Sequence, residues 1–229
     1  GFTTATTRVI TPPDADVNFF NRTGFVQIAE DAWLCNATLT ASVAASALTV
    51  ALKTKAGADP SAADPAYVGF RTATAATGDY TVIKITAATS IVASSGSTLG
   101  TVSAQASRIY VTGHNDAGTF RMGVYNPWDD TNKALLGIEE SILYSSTAEG
   151  GAGAADSAQV IYTGTAVTTK AASILGYVES TQATAGTWAT TPSKVQLMSP
   201  GARRTGDRVQ KTFKFDGAVA AGSVAMVDD

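Results

Sequence analysis

The chain has little with which to do chemistry. Its 229 residues hold one cysteine, Cys35, and one histidine, His114. A single cysteine excludes an intrachain disulfide. A zinc site needs His or Cys ligands that converge, and here one of each stands far apart in sequence. Charged residues make up 15% of the chain, against roughly a quarter in ordinary globular domains. Long surface helices carry Glu, Lys and Arg, so the shortage points to strands and loops coated with Thr and Ser. The net charge is -3, and the nearest approach to a basic cluster is Arg203, Arg204, Arg208, Lys211 and Lys214. Nucleic acid is held by a concentrated basic face with stacking aromatics, and five dispersed charges do not make one. No apolar run approaches the roughly 18 residues of a membrane helix. The opening Gly1-Phe2-Thr3-Thr4 lacks the basic and apolar regions of a signal peptide. Neither nucleic acid nor membrane insertion is therefore expected.

What is present is alternation. Hydrophobic residues reach 45%, a large share of them Ala. Leu48, Val50 and Leu52 alternate with Thr49, Ala51 and Lys53. Residues 80–86 follow a Gly78-Asp79 turn signal, and residues 108–112 and 119–125 flank residues 113–118 as a hairpin with a moderately long loop. Residues 159–162 and 173–178 add two strands. Residues 175–201 read as two short strands, Tyr177-Val178 in the first and Val195-Gln196-Leu197 in the second, around a Thr/Ala/Gly connection holding Trp188. Short strands of period two between turns predict an all-β fold, an antiparallel β-sandwich of jelly-roll-like kind with extended N- and C-terminal segments. The organisation predicted is an extended anchor over residues 1–20, a sandwich over 21–201, and a linker with terminal strands over 202–229. Residues 56–66 and the glycine-rich 147–156 read as loops, the latter flexible. The single predicted helix covers residues 133–144, where Leu135, Ile138 and Ile142 fall at helical spacing and Gly137 weakens it. Cys35 shares a face with Ala37 and Leu39 and reads as a small buried thiol.

Candidate sites are few, and no catalytic, cofactor-binding or metal-binding residue is expected. His114-Asn115-Asp116 falls in the predicted hairpin loop, where Asn and Asp are ordinary turn formers, and no Gly-x-Ser-x-Gly elbow accompanies it. The segment from Glu149 to Ala154 lacks the Gly-Lys-Ser/Thr ending of a phosphate loop. Acidic pairs stand at Asp129-Asp130, Glu139-Glu140 and Asp228-Asp229. A glycosidase needs two carboxylates about 5 to 10 Å apart across a cleft, whereas adjacent acids mark solvated turns, and residues 127–132 have a turn composition. Asp59, Asp64, Asp129 and Asp130 supply the oxygen ligands that calcium takes, without a twelve-residue loop pattern. Trp33 and Trp188 read as core or interface aromatics, and Trp128 with Tyr125 as a surface pair on which a sugar ring would stack. Val209, Phe213 and Phe215 alternate in a terminal strand that needs a partner, and they are candidate inter-subunit contacts.

Several segments resemble something known. Residues 46–53 followed by Asp59-Pro60-Ser61-Ala62-Ala63-Asp64-Pro65 are similar to the opening of a repeated domain of tailed-bacteriophage fibres. Residues 71–97, with Thr77-Gly78-Asp79-Tyr80 and then Ser94-Ser95-Gly96-Ser97-Thr98-Leu99-Gly100, are similar to its middle, and residues 175–201 to its end. Residues 217–229 resemble the start of a further module at the distal end of such fibres. Together these cover most of residues 24–229. The resemblance implies a virion structural protein, a tail or head fibre assembled in the bacterial host cytoplasm. It also implies a homotrimer joined to other virion proteins of tail, baseplate or capsid, and truncation before a distal domain. The family has no signature catalytic residues to carry over. Two alternatives belong to other classes: an adhesin module recognising a host surface glycan through Trp128 and Tyr125, and a polysaccharide-degrading spike using Asp129, Asp130, Glu139 or Glu140.

Overall fold

Strand after strand is set by side chains that alternate between an Ala, Val, Leu or Ile face and a Thr, Ser or charged face. The computed structural model describes residues 34–71, 80–138, 143–150 and 156–198. In chain order the strands are β1 (Leu34–Cys35), β2 (Thr38–Ala44), β3 (Ala47–Lys53), β4 (Ala66–Arg71), β5 (Tyr80–Ile85), β6 (Thr89–Ala93), β7 (Ala106–Asp116), β8 (Thr119–Tyr125), β9 (Trp128–Asp129), β10 (Ala134–Leu135), β11 (Leu143–Tyr144), β12 (Thr147–Ala148), β13 (Ile161–Thr163), β14 (Lys170–Thr181) and β15 (Lys194–Leu197). The protein is all-β and sandwich-like, and there is no helix among the described residues.

Two tight turns fix the registers. Between β2 and β3, Ala45 and Ser46 take φ values of 48° and 61° and close the pair at Ala44 and Ala47. Between β7 and β8, Ala117 and Gly118 take 51° and 90° and close the pair at Asp116 and Thr119. Two successive positive φ angles give the twist that matches the flanking strands. Asn115 Oδ1 accepts the Gly118 N–H at 2.8 Å and holds the second turn. The predicted loop over residues 113–118 is therefore corrected to a two-residue turn. Gly113, His114 and Asn115 are strand residues opposite Met122, Arg121 and Phe120.

The largest sheet runs β11-β14-β7-β8-β13-β12, antiparallel except for the β12–β13 pair. The twelve-residue β14 shares one edge between two short partners, β11 at its start and β15 at its end. Between them it carries a bulge, since Ile174 pairs with Thr112 but Gly176 with Val111, leaving Leu175 unmatched. Leu175 turns into the core and is fully buried. A Cβ on Gly176 would collide with the carbonyl oxygen of Gln196 and with Leu39 Cδ1. Two three-stranded sheets, β1-β4-β5 and β2-β3-β6, complete the layers, with β4 packed on β7 and β14, and β5 and β6 on β8.

Between the layers lies one continuous core. It takes Leu48, Val50 and Leu52 from β3, Val68 and Phe70 from β4, and Ile109, Val111, Val124 and Val178 from the large sheet. Trp188 plugs it from the β14–β15 connection at 1% exposure. Its Nε1–H donates to the Ser97 carbonyl at 2.9 Å and its backbone N–H to the Ser46 carbonyl at 3.1 Å. The reading of Trp188 as a core aromatic stands, whereas Trp33 lies outside the described residues.

Two further expectations are corrected. Residues 133–138 and 143–144 are not helical: Lys133 sits at a φ of 53°, Ala134 and Leu135 pair with Asp129 and Trp128, and the Leu136 N–H donates to the Pro127 carbonyl. Leu135 is 72% exposed, so the helical spacing had no core to face. Cys35 is half-buried rather than enclosed, because Asn36 at a φ of 50° interrupts the alternation and turns Leu34 inward in its place. The predicted strands over residues 209–227 and the segment 1–20 lie outside the described residues.

Trp188→Ala should cost about 3–5 kcal/mol in urea unfolding, as large aromatic deletions in cores do. Gly176→Ala should cost at least about 1–3 kcal/mol through overpacking. Near-neutral values would place the core and the bulge elsewhere.

Candidate functional site

The residues with acid–base potential are occupied by structure. His114 is fully buried on β7, its Nε2 lies 3.1 Å from Thr112 Oγ1, and Nδ1 has no hydrogen-bond partner. Burial alone pushes its pKa down to about 4, so it is neutral at pH 7. A triad histidine is oriented by a carboxylate, and no carboxylate bonds to His114 here.

Asp129 closes a turn on itself: its Oδ1 accepts the Thr131 and Asn132 N–H groups at 2.9 and 3.3 Å, and its Oδ2 the Asn132 amide at 2.6 Å. Asp130 accepts Lys133 Nζ at 2.7 Å and the Trp128 indole N–H at 3.4 Å. Hydrogen bonds from Asn132 and Lys133, respectively, lower the two pKa values. A glycosidase acid has its pKa raised instead. Glu139, Glu140, Asp228 and Asp229 lie outside the described residues. The four aspartates considered for calcium are engaged separately, Asp59 with Lys53 at 2.6 Å and Asp64 with the Asn36 amide at 2.6 Å. Among the described residues no three His, Cys, Asp or Glu side chains gather to hold a metal.

The glycine-rich segment is tied at both ends to one stretch of chain. Glu149 accepts the Ser94 N–H and hydroxyl at 2.9 and 2.8 Å. Asp156 is buried, its carboxylate accepts the Ser97 hydroxyl, and its carbonyl accepts the Thr98 hydroxyl at 2.9 Å. Burial, with the nearby Glu149 charge, pushes Asp156 up to about 6. The loop reading is corrected at its ends, where β12 and these two anchors stand.

A groove of about 600 Å³ crosses the outer face of β7 and β14. Tyr110, Arg108 and Glu179 line it from the sheet, Trp128 and Leu135 from one wall, and Gln105, Thr181 and Ser193 from the others. Strand pairing sets the sheet residues opposite one another: Arg108 faces Glu179 and Tyr110 faces Tyr177. Arg108 Nε and Nη2 both bind Glu179 Oε1, and its guanidinium lies 4.3 Å above the Tyr177 ring. The Tyr110 and Tyr177 rings meet edge to face at 6.2 Å.

Trp128, 41% exposed, is held in place from behind. Its backbone N–H donates to Asn126 Oδ1 at 3.1 Å, and the buried Asn126 amide donates to the Leu99 carbonyl at 2.9 Å. Of the proposed aromatic pair, the structure keeps Trp128 at the surface but not Tyr125. That ring is 3% exposed and its hydroxyl donates to the Leu136 carbonyl at 2.8 Å. Burial pushes its pKa up to about 12. The segment after β10 covers the face that Tyr125 would have offered, and Tyr110, not singled out from sequence, stands in the groove instead. Val209, Phe213 and Phe215 lie outside the described residues.

His114 and Asp156, both buried, oppose each other with pH. The folded pKa of His114 is depressed, so its stability contribution is present above 6.5 and is lost as pH falls through about 4, on the order of 3 kcal/mol in all. The folded pKa of Asp156 is raised, so its contribution is present below 3.8 and is lost as pH rises through about 6. Asp156→Asn should therefore steepen the loss of stability between pH 6.5 and 4.5, measured by urea midpoints. A slope equal to that of the parent protein would contradict the assignment.

No protein-family model, no curated protein and no solved structure matches the chain.

Proposed function

We propose that the chain is a non-catalytic structural module of a bacteriophage fibre, working in the virion as a homotrimer that joins other virion proteins and supports host attachment. One observation carries the reading. Among the described residues β2 and β6 are each hydrogen-bonded on one side only, to β3, and neither contains a charged residue or a proline. Proteins that remain monomeric blunt such edges with Lys, Pro or bulges, because an open row of N–H and C=O groups recruits another strand. Val92 on β6 adds a large apolar side chain at 39% exposure. A closed symmetric assembly is the economical way to cover identical edges. The employment of His114, Asp129, Asp130 and Asp156 in folding supports a role without catalysis, and the fibre-like segments supply the virion setting.

Light scattering coupled to size exclusion should give a mass near three times the 23.4 kDa chain. A monomer at 23.4 kDa would mean that the chain covers its own edges, and the trimer would be abandoned.

A further inference from the structure

The groove on β7 and β14 has features that a purely structural face does not need. Its volume falls in the range of about 300–1,000 Å³ usual for ligand sites. A tryptophan at its wall is left 41% exposed although its backbone and its indole N–H are both fixed, by Asn126 and Asp130. Fixing an aromatic surface before the ligand arrives lowers the ordering cost of binding. The polar groups around it are largely neutral: the hydroxyls of Thr101, Ser107, Thr181 and Ser193, and the amide of Gln105. The charged residues that line it are Arg108 and Glu179, and they neutralise each other. Beside Trp128, Asp130 is likewise matched by Lys133.

We propose that this groove binds a neutral oligosaccharide, with Trp128 and Tyr110 offering aromatic surface to the apolar faces of the sugar rings and Arg108, Glu179, Gln105 and the rim hydroxyls meeting ring hydroxyls. The charge balance selects against anionic glycans, since a sialylated or uronic ligand would meet no unpaired cation in the lining. The Thr101, Ser107 and Ser193 hydroxyls donate to the Thr98, Ser180 and Glu179 carbonyls, so toward a ligand their oxygens are left to accept from its hydroxyls. Planar, bidentate groups such as guanidinium and carboxylate suit vicinal hydroxyls, and because both Arg108 contacts go to Glu179 Oε1, Oε2 takes no part in that pair. Tyr125 has no part in the site. The inference does not depend on trimer formation, because every lining residue named comes from one chain.

The test is a glycan array of neutral and anionic glycans probed with the full chain. Calorimetry follows with the best neutral hit, 3′-sialyllactose and decaproline. Retention of a neutral glycan is expected. Trp128→Ala should weaken it about tenfold or more, Trp128→Phe should largely retain it, and Tyr125→Phe should leave it unchanged. Thr181→Lys, at an exposed position on the far wall, should block the groove without touching Trp128, so a misfolded Trp128→Ala would not rescue the idea. An array silent for neutral glycans, preference for 3′-sialyllactose, or affinity indifferent to both Trp128→Ala and Thr181→Lys would overturn the proposal. So would decaproline binding in place of the glycan.

Discussion

Everything described here hangs on the antiparallel ladder between β7 and β14, which runs from Ala106 opposite Thr181 to His114 opposite Ala172. Its inner face gives Ile109, Val111 and Val178 to the core. Its outer face sets Arg108 against Glu179 and Tyr110 against Tyr177. The two strands are distant in sequence, so closing that loop costs entropy before any contact repays it. The repayment is burial on one side of the ladder and cross-strand pairs on the other. The bulge at Leu175 allows one strand to do both, because the extra residue turns a leucine into the core while Gly176 lets β15 and Leu39 approach.

A second constraint is how a charge-poor chain employs its polar groups. Glu149 and Asp156 fasten the two ends of the glycine-rich segment to residues 94–98, and Asp129 builds a turn. Gln182 accepts the Ala189 and Thr190 N–H groups at 3.0 and 2.9 Å and shapes the connection that carries Trp188. Hydrogen bonds of this kind matter chiefly because a buried group without a partner costs more than the bond contributes. Among the described residues Thr54 Oγ1 and His114 Nδ1 are buried without a partner, and burial keeps the His114 ring uncharged. Side chains of the reactive types serve as fasteners. The outer face of the ladder is where the sequence retains aromatic and polar surface beyond what folding uses.

The fold class was legible because period two survives in β3, β6 and the second half of β14, where buried residues alternate with more exposed ones. Where the signal misled, a local rule met a tertiary fact. Gly113-His114-Asn115 has turn composition, but pairing with β8 and β14 keeps it in a strand and moves the turn to Ala117-Gly118. Leu135, Ile138 and Ile142 have helical spacing, but Leu135 stands largely in solvent on a short strand paired with Trp128. At the groove, Trp128 was visible as an aromatic in a turn-rich segment. Tyr125 was misplaced because alternation shows which face a residue takes and not whether another segment covers that face. Arg108 and Glu179 gave no signal, since their meeting exists only through a long-range register that no local pattern encodes.

The central claim is that the β7–β14 ladder is the most stable part of the molecule and the scaffold for its outer groove. Hydrogen exchange followed by mass spectrometry tests it directly, since the slowest amides report the last structure to open. Peptides covering residues 106–116 and 170–181 should exchange most slowly, with residues 128–136 exchanging faster as a wall laid over that scaffold. If residues 106–116 and 170–181 exchanged as fast as the groove wall, the ladder would not be what holds the structure together.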